Sequence, residues 1–160
     1  MGAHRGPGLF AAADVYYLGS GGARAAAVVA ADATFSHVLA PLRAVLRGIG
    51  GLGLLVVDGY ADLDPAGRPG LGAHVHTEFA IPVIGVAKSA FRTATHAIAV
   101  RRGTSARPVF VTAAGMRRTD AADLVQNMAG RFRIPDALRR ADTLARTGPP
   151  PVNQTSHHPR

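Results

Sequence analysis

The chain has no cysteine and no tryptophan, and among its 160 residues it has one glutamate, Glu78, and one lysine, Lys88. Without thiols it can form neither a disulfide framework nor a thiolate metal site, and the expected location is the cytoplasm. No apolar run approaches the roughly 18 residues that cross a bilayer, and Met1–Gly8 has no signal-peptide core, so no membrane partner is expected. Three Tyr and six Phe are few, which leaves a core of Ala, Val and Leu. Carboxylates are scarce as well, so one placed in an apolar setting stands out.

The length suits a single domain with a real core, and 48% hydrophobic against 18% charged residues is a globular balance. The expected organisation is a flexible N-terminus over 1–8, one domain over 9–147, and a disordered Pro-rich tail over 148–160. There are no internal repeats. Charge is unevenly spread. Up to Lys88 the basic and acidic residues cancel. Beyond it come twelve Arg against only Asp120, Asp123, Asp136 and Asp142, which accounts for the net charge of +8. Such an excess points to a polyanionic partner, nucleic acid first, although an Arg-rich proteome decorates surfaces in the same way. No protein partner is indicated.

Hydrophobic patterning predicts a strand over Leu9–Tyr17, a hairpin turn at Gly19–Gly22 and a partner strand over Ala23–Ala31, where the Ala content leaves a helix open. A short strand is expected around Phe35–Leu39. Pro41–Ile49 reads as a helix begun by proline. Buried strands follow over Leu52–Asp58 and Pro82–Ala87, with a helix over Leu71–Phe79 between them. Ala97–Arg101 and Val109–Thr112 pair as strands, Thr119 caps a helix reaching Met128 with Asp120 and Asp123 in its first turn, and Pro135–Arg146 is a last helix. A hairpin followed by strand–helix–strand units gives an α/β fold, a mixed sheet flanked by helices.

Four residues carry the candidate chemistry. Asp14 lies inside an apolar strand, where an ionised carboxylate is costly unless paired or bound to metal. Asp58 ends a buried strand, the usual place for an α/β fold to present a functional group. Together they could hold Mg²⁺, which takes oxygen ligands, or they could cap strand ends and bind Arg. Lys88 follows the next buried strand, a compact ammonium in a chain that otherwise uses Arg. Asp142, in RRADTLAR, could equally be a surface partner of Arg146. Asp62 and Asp64 are expected to be turn formers. His74 and His76, two apart on a helix, point to different sides and cannot chelate one metal.

Several blocks of the chain resemble endonuclease V, a family of metal-dependent nucleases that cut beside deoxyinosine. They are AAADVYY, LLVVDGYADLDP, RPGLGAHVHTEFAIPVIGVAK, FVTAAGMRRTDAADLV and RFRIPDALRRADTLA, in the family's order between Phe10 and Leu144. The resemblance implies a ribonuclease-H-like fold and metal-assisted hydrolysis of DNA or RNA. It also implies metal-binding roles, with Mg²⁺ or Mn²⁺, for Asp14, Asp58 and Asp142, and a place for Lys88 near the scissile phosphate. Gly115 matches a family glycine, whereas Met116 and Asp64 stand where His is usual. Between Ala31 and Arg43 the chain lacks the family's Pro-Tyr-x-Pro-Gly wedge and the following catalytic Glu, with Val38 near that position. Weak or absent activity on deoxyinosine is therefore expected, in DNA repair terms an impaired enzyme.

Overall fold

A computed structural model describes residues 9–17, 23–30, 42–43 and 51–147; of the side chains before residue 51 it describes that of Ala12. The expected turn at Gly19–Gly22, the strand around Phe35–Leu39, the Val38 position, the N-terminus 1–8 and the tail 148–160 lie outside the described residues.

The elements are β1 (Leu9–Tyr17), β2 (Ala23–Ala30), β3 (Leu42–Arg43), β4 (Leu52–Asp58), α1 (Leu71–Phe79), β5 (Val83–Ala87), β6 (Ile98–Val100), β7 (Val109–Ala114), α2 (Arg118–Asn127) and α3 (Asp136–Thr147). They build one mixed sheet in the order β3-β2-β1-β4-β5-β7-β6. β1, β4 and β5 run parallel at its centre, and the flanking pairs are antiparallel. Ala23–Ala30 is thus a strand. Leu42–Arg43 corrects the expected helix at its start: these residues pair with Ala27 and Ala26 on the open edge of β2. An unpaired row of backbone groups is a template that a nearby segment with strand-compatible residues satisfies.

The unbroken apolar runs of β4 and β5 are those of strands covered on both faces. Leu54 and Val56 of β4, with Ile84 and Val86 of β5, face a core closed by Ala121 and Val125 of α2 and Leu138 of α3. Leu55, Val57 and Val83 face the other way, onto Val75 and Ile81. The period-two alternation therefore assigns α1 to one layer and α2 with α3 to the other. α3 lies across β1 and β2. α2 begins one residue earlier than its expected cap. Arg117 is the N-cap and makes no side-chain cap bond, Thr119 lies inside the helix, and Asp120 is the acid of the first turn. No helix among the described residues is long and apolar enough to cross a membrane.

Candidate functional site

Asp58 is the last residue of β4 and Lys88 the first after β5. These parallel neighbours pair Asp58 with Val86, so both residues leave the sheet at the same edge. The Lys88 ammonium donates to Asp58 Oδ2. The carboxylate side chain is 15% exposed and the lysine 46% exposed, which places the acid at the base of the pair and the ammonium at its mouth. On the other side of β4, β1 pairs Ala12 with Val56 and Ala13 with Val57. One step further along both strands stand Asp14 and Asp58. Their backbone positions are level on adjacent strands, which lie about 4.8 Å apart.

Two glycines explain why the chain can turn here. Gly59 takes φ of 139° directly after Asp58, and its N–H donates to Val86 O at 3.0 Å. The turn it starts folds back over β5, where a Cβ on Gly85 would stand 2.7 Å from Gly59 O and 2.8 Å from Thr112 Oγ1. Thr112, fully buried on β7, accepts the Ala61 N–H at 2.7 Å. The VDG and IGVAK blocks are thus two sides of one close backbone approach.

The loops after β4 and β5 are then joined by side chains. Tyr60 Oη donates to Ser89 O at 2.8 Å and accepts the Phe91 N–H at 2.9 Å, while its ring meets Phe91 at a centroid distance of 5.9 Å. Burial pushes the Tyr60 phenol up from its usual value, and the Phe91 hydrogen bond works against that shift. Thr93 Oγ1 donates to Leu63 O at 2.6 Å. Asp64 is the turn former expected, accepting the Arg68 N–H at 3.0 Å. Asp62 is more than that. Its backbone bridges Pro69, and its carboxylate stands 3.0 Å from Nε2 of His96, whose side chain is 5% exposed. The ring is not aimed for a hydrogen bond, and both His96 nitrogens are buried without a partner. Sequence reading passed over His96, because an isolated histidine in a loop carries no pattern.

Asp142 lies on α3 with its side chain 30% exposed, and the Arg146 guanidinium donates to it at 3.0 Å. α3 crosses β1, the strand that carries Asp14. Among the described residues no three His, Asp or Glu side chains gather around one point. Asp58 and Asp142 are the members of the expected metal set whose side chains are described. A half-buried carboxylate at a strand end, with no thiol in the chain, is donor chemistry that fits a hard, oxygen-seeking cation. His74 is exposed and His76 half-buried. The His76 ring lies against Gly115 and its Nδ1 is 2.6 Å from Ile81 O, so it is a packing residue.

Among the described residues, a seven-stranded mixed sheet with helices on both faces, and an acid and a lysine leaving adjacent parallel strands, define a ribonuclease-H-like α/β protein with a strand-end site. The chain is 32% identical over 114 residues to endonuclease V of Streptomyces avermitilis, a match covering 59% of this chain and 49% of the relative. The chain thus spans about half the length of the curated relative it matches. The crystal structure of endonuclease V from Streptomyces avermitilis superposes with a TM-score of 0.69 at 26% identity, covering 88% of this chain and 81% of that one. Human endonuclease V gives 0.66 at 21% identity over 91% and 88%. A Ciona intestinalis endonuclease V variant, crystallised with a 23mer DNA containing an inosine followed by a ribo-adenosine, gives 0.68 at 16% identity over 86% and 83%. These last two establish the fold. No protein-family profile matches the chain.

Proposed function

We propose that the chain is a divalent-cation-dependent endonuclease that hydrolyses a phosphodiester near inosine or deoxyinosine in DNA or RNA, a repair activity, with much reduced efficiency. The observation that carries this reading is the Asp58–Lys88 pair at the ends of adjacent parallel strands. The position of Asp14 on the neighbouring strand, level with Asp58, supports it. The DNA-bound Ciona relative supports nucleic acid as the partner.

Asp58, Asp14 and Asp142 would hold Mg²⁺ or Mn²⁺. Such a cation, when bound, polarises a phosphoryl oxygen and lowers the pKa of water. The remaining work falls to the chain itself. Lys88 neutralises Asp58 in the free protein. Its half-exposed ammonium can exchange that carboxylate for a phosphate oxygen and stabilise the charge that develops there. The Gly59–Ala61 turn, tied to Thr112, keeps the Asp58 carboxylate at the sheet edge. The missing Glu removes one oxygen donor. Loss of even an outer partner of a metal site costs about 10–100-fold, and a chain without the wedge motif would lack that means of prising a base from its stack.

Inosine-containing and control oligonucleotides incubated with Mg²⁺ or Mn²⁺ test the reading. Slow cleavage confined to the inosine strand is expected, abolished by Asp58→Ala and by EDTA. The basic half of the chain favours a second reading, a nucleic-acid-binding module without catalysis. Salt-sensitive binding with no cleavage would select it. Absence of both binding and cleavage would remove both readings.

A further inference from the structure

At the edge of the sheet that holds Lys88, the segment from Met128 to Arg133 is fastened by two arginines. Arg102 is 3% exposed. Its guanidinium donates to Phe132 O at 3.0 Å, Gly130 O at 3.3 Å and Ala129 O at 3.4 Å, and also to Met128 O. Arg133 donates to Pro108 O at 2.9 Å and to Lys88 O. A Cβ on Gly103 would collide with Arg131 O, so the loop after β6 and this segment are in direct backbone contact.

Held in this way, Phe132 turns a ring outward that is 45% exposed. The guanidinium carbons of Arg131 and Arg139 stand 5.0 Å and 4.3 Å from its centroid. Asp136, 3.4 Å from Arg139, offsets part of that charge. Beside the ring is a cavity of about 360 Å³ whose lining includes Thr104 and Ser105. Two cations on one exposed aromatic repel each other and leave apolar surface in water. A ligand that brings both negative charge and a flat π-face relieves both costs. Arginines already stacked on a ring also lose less freedom when they bind phosphate. Through Arg133, this cluster is one side chain from Lys88.

We propose that Phe132, Arg131 and Arg139 form a binding site for an unpaired stretch of nucleic acid flanking the strand-end site. The Arg139–Phe132 stack takes a base, and Arg131 with the adjoining cavity takes phosphate. The proposal rests on the nucleic-acid reading given above, and its test needs no cleavage. Because the chain has no Trp, Phe132→Trp provides a single indole at the platform. In EDTA, single-stranded oligothymidylate should quench that indole saturably and more strongly than duplex of equal length. By fluorescence anisotropy of a labelled strand, Phe132→Leu and Arg139→Gln should each weaken binding about tenfold. Arg131→Gln should reduce the slope of log affinity against log salt by about one. If Phe132→Leu binds like the parent chain, or the indole is unquenched while anisotropy reports binding, the platform is overturned and the nuclease reading stands. Circular dichroism of each variant separates lost binding from lost fold, and Phe132→Leu reports even if the indole variant does not fold.

Discussion

Lys88 and Arg102 carry the same charge at the same edge of the sheet and are put to opposite uses. Lys88 is half exposed and faces one carboxylate. Arg102 is buried and donates to a row of carbonyl oxygens. Burial pushes its guanidinium below its ordinary pKa, opposed by the field of Asp136. A guanidinium can satisfy several acceptors at once in a fixed fork, whereas an ammonium is a mobile point charge that can leave its partner. The strand-end loops therefore keep a cation available for exchange, while the segment from Met128 to Arg133 uses its cations as fasteners. The excess of arginine after Lys88 is partly structural, so the charge total overstates what faces a polyanion.

The sharpest way to break this contrast is Arg102→Met, which keeps bulk and removes every donor. It leaves buried carbonyls without partners, and each such group costs about 1–3 kcal/mol. A loss of about 3 kcal/mol in urea unfolding is expected, whereas Lys88→Met, at a half-exposed site, should cost well under 1 kcal/mol. Gly85→Ala comes next. It forces the Gly59–Ala61 turn off β5 and should cost about 2 kcal/mol, in the range of overpacked sites. Cleavage should fall further than stability, because Asp58 moves with the turn.

A smaller loss than that of Gly85→Ala is expected from Tyr60→Phe, which removes the hydroxyl joining Ser89 and Phe91 and should cost about 1 kcal/mol. Its pH dependence identifies the group. Burial raises the Tyr60 pKa in the folded chain above the usual 10.0, so the folded state prefers the protonated phenol. That contribution is complete below pH 10 and is lost as pH rises through the raised value. The parent chain should lose stability above pH 10 more steeply than Tyr60→Phe.

Much of the sheet was legible because β1, β4 and β5 follow a simple rule, an apolar run, with an acid ending β4 and a lysine following β5. α1 matched its expected span for the same reason. The fasteners were harder to read. Arg102 falls two residues after Val100 and four after Ile98, on the core-facing alternation of β6, and that was the available signal. A charged residue at a core position suggests an error in the strand assignment unless its acceptors are known. Those acceptors come from a segment some thirty residues away, which no local pattern reveals. Thr119 misled because a capping residue type is common, while the cap itself is decided by where the preceding chain turns, here at Arg117. His96 and Asp62 meet across two loops, a pairing that no local pattern reveals.

The parallel pairing at the centre of the sheet also orders events in time. Val56 pairs with Ile84 across the short α1 crossover, but with Ala12 across a considerably longer stretch of chain. Contacts that close longer loops form later. β4, α1 and β5 should therefore assemble first, and the β1–β2 pair should join them afterwards. α3 rests mainly on β1 and β2, so the last helix should complete its docking only after the first strands have arrived. Any change that slows β1 will leave Asp142 out of place, however sound the rest of the chain is.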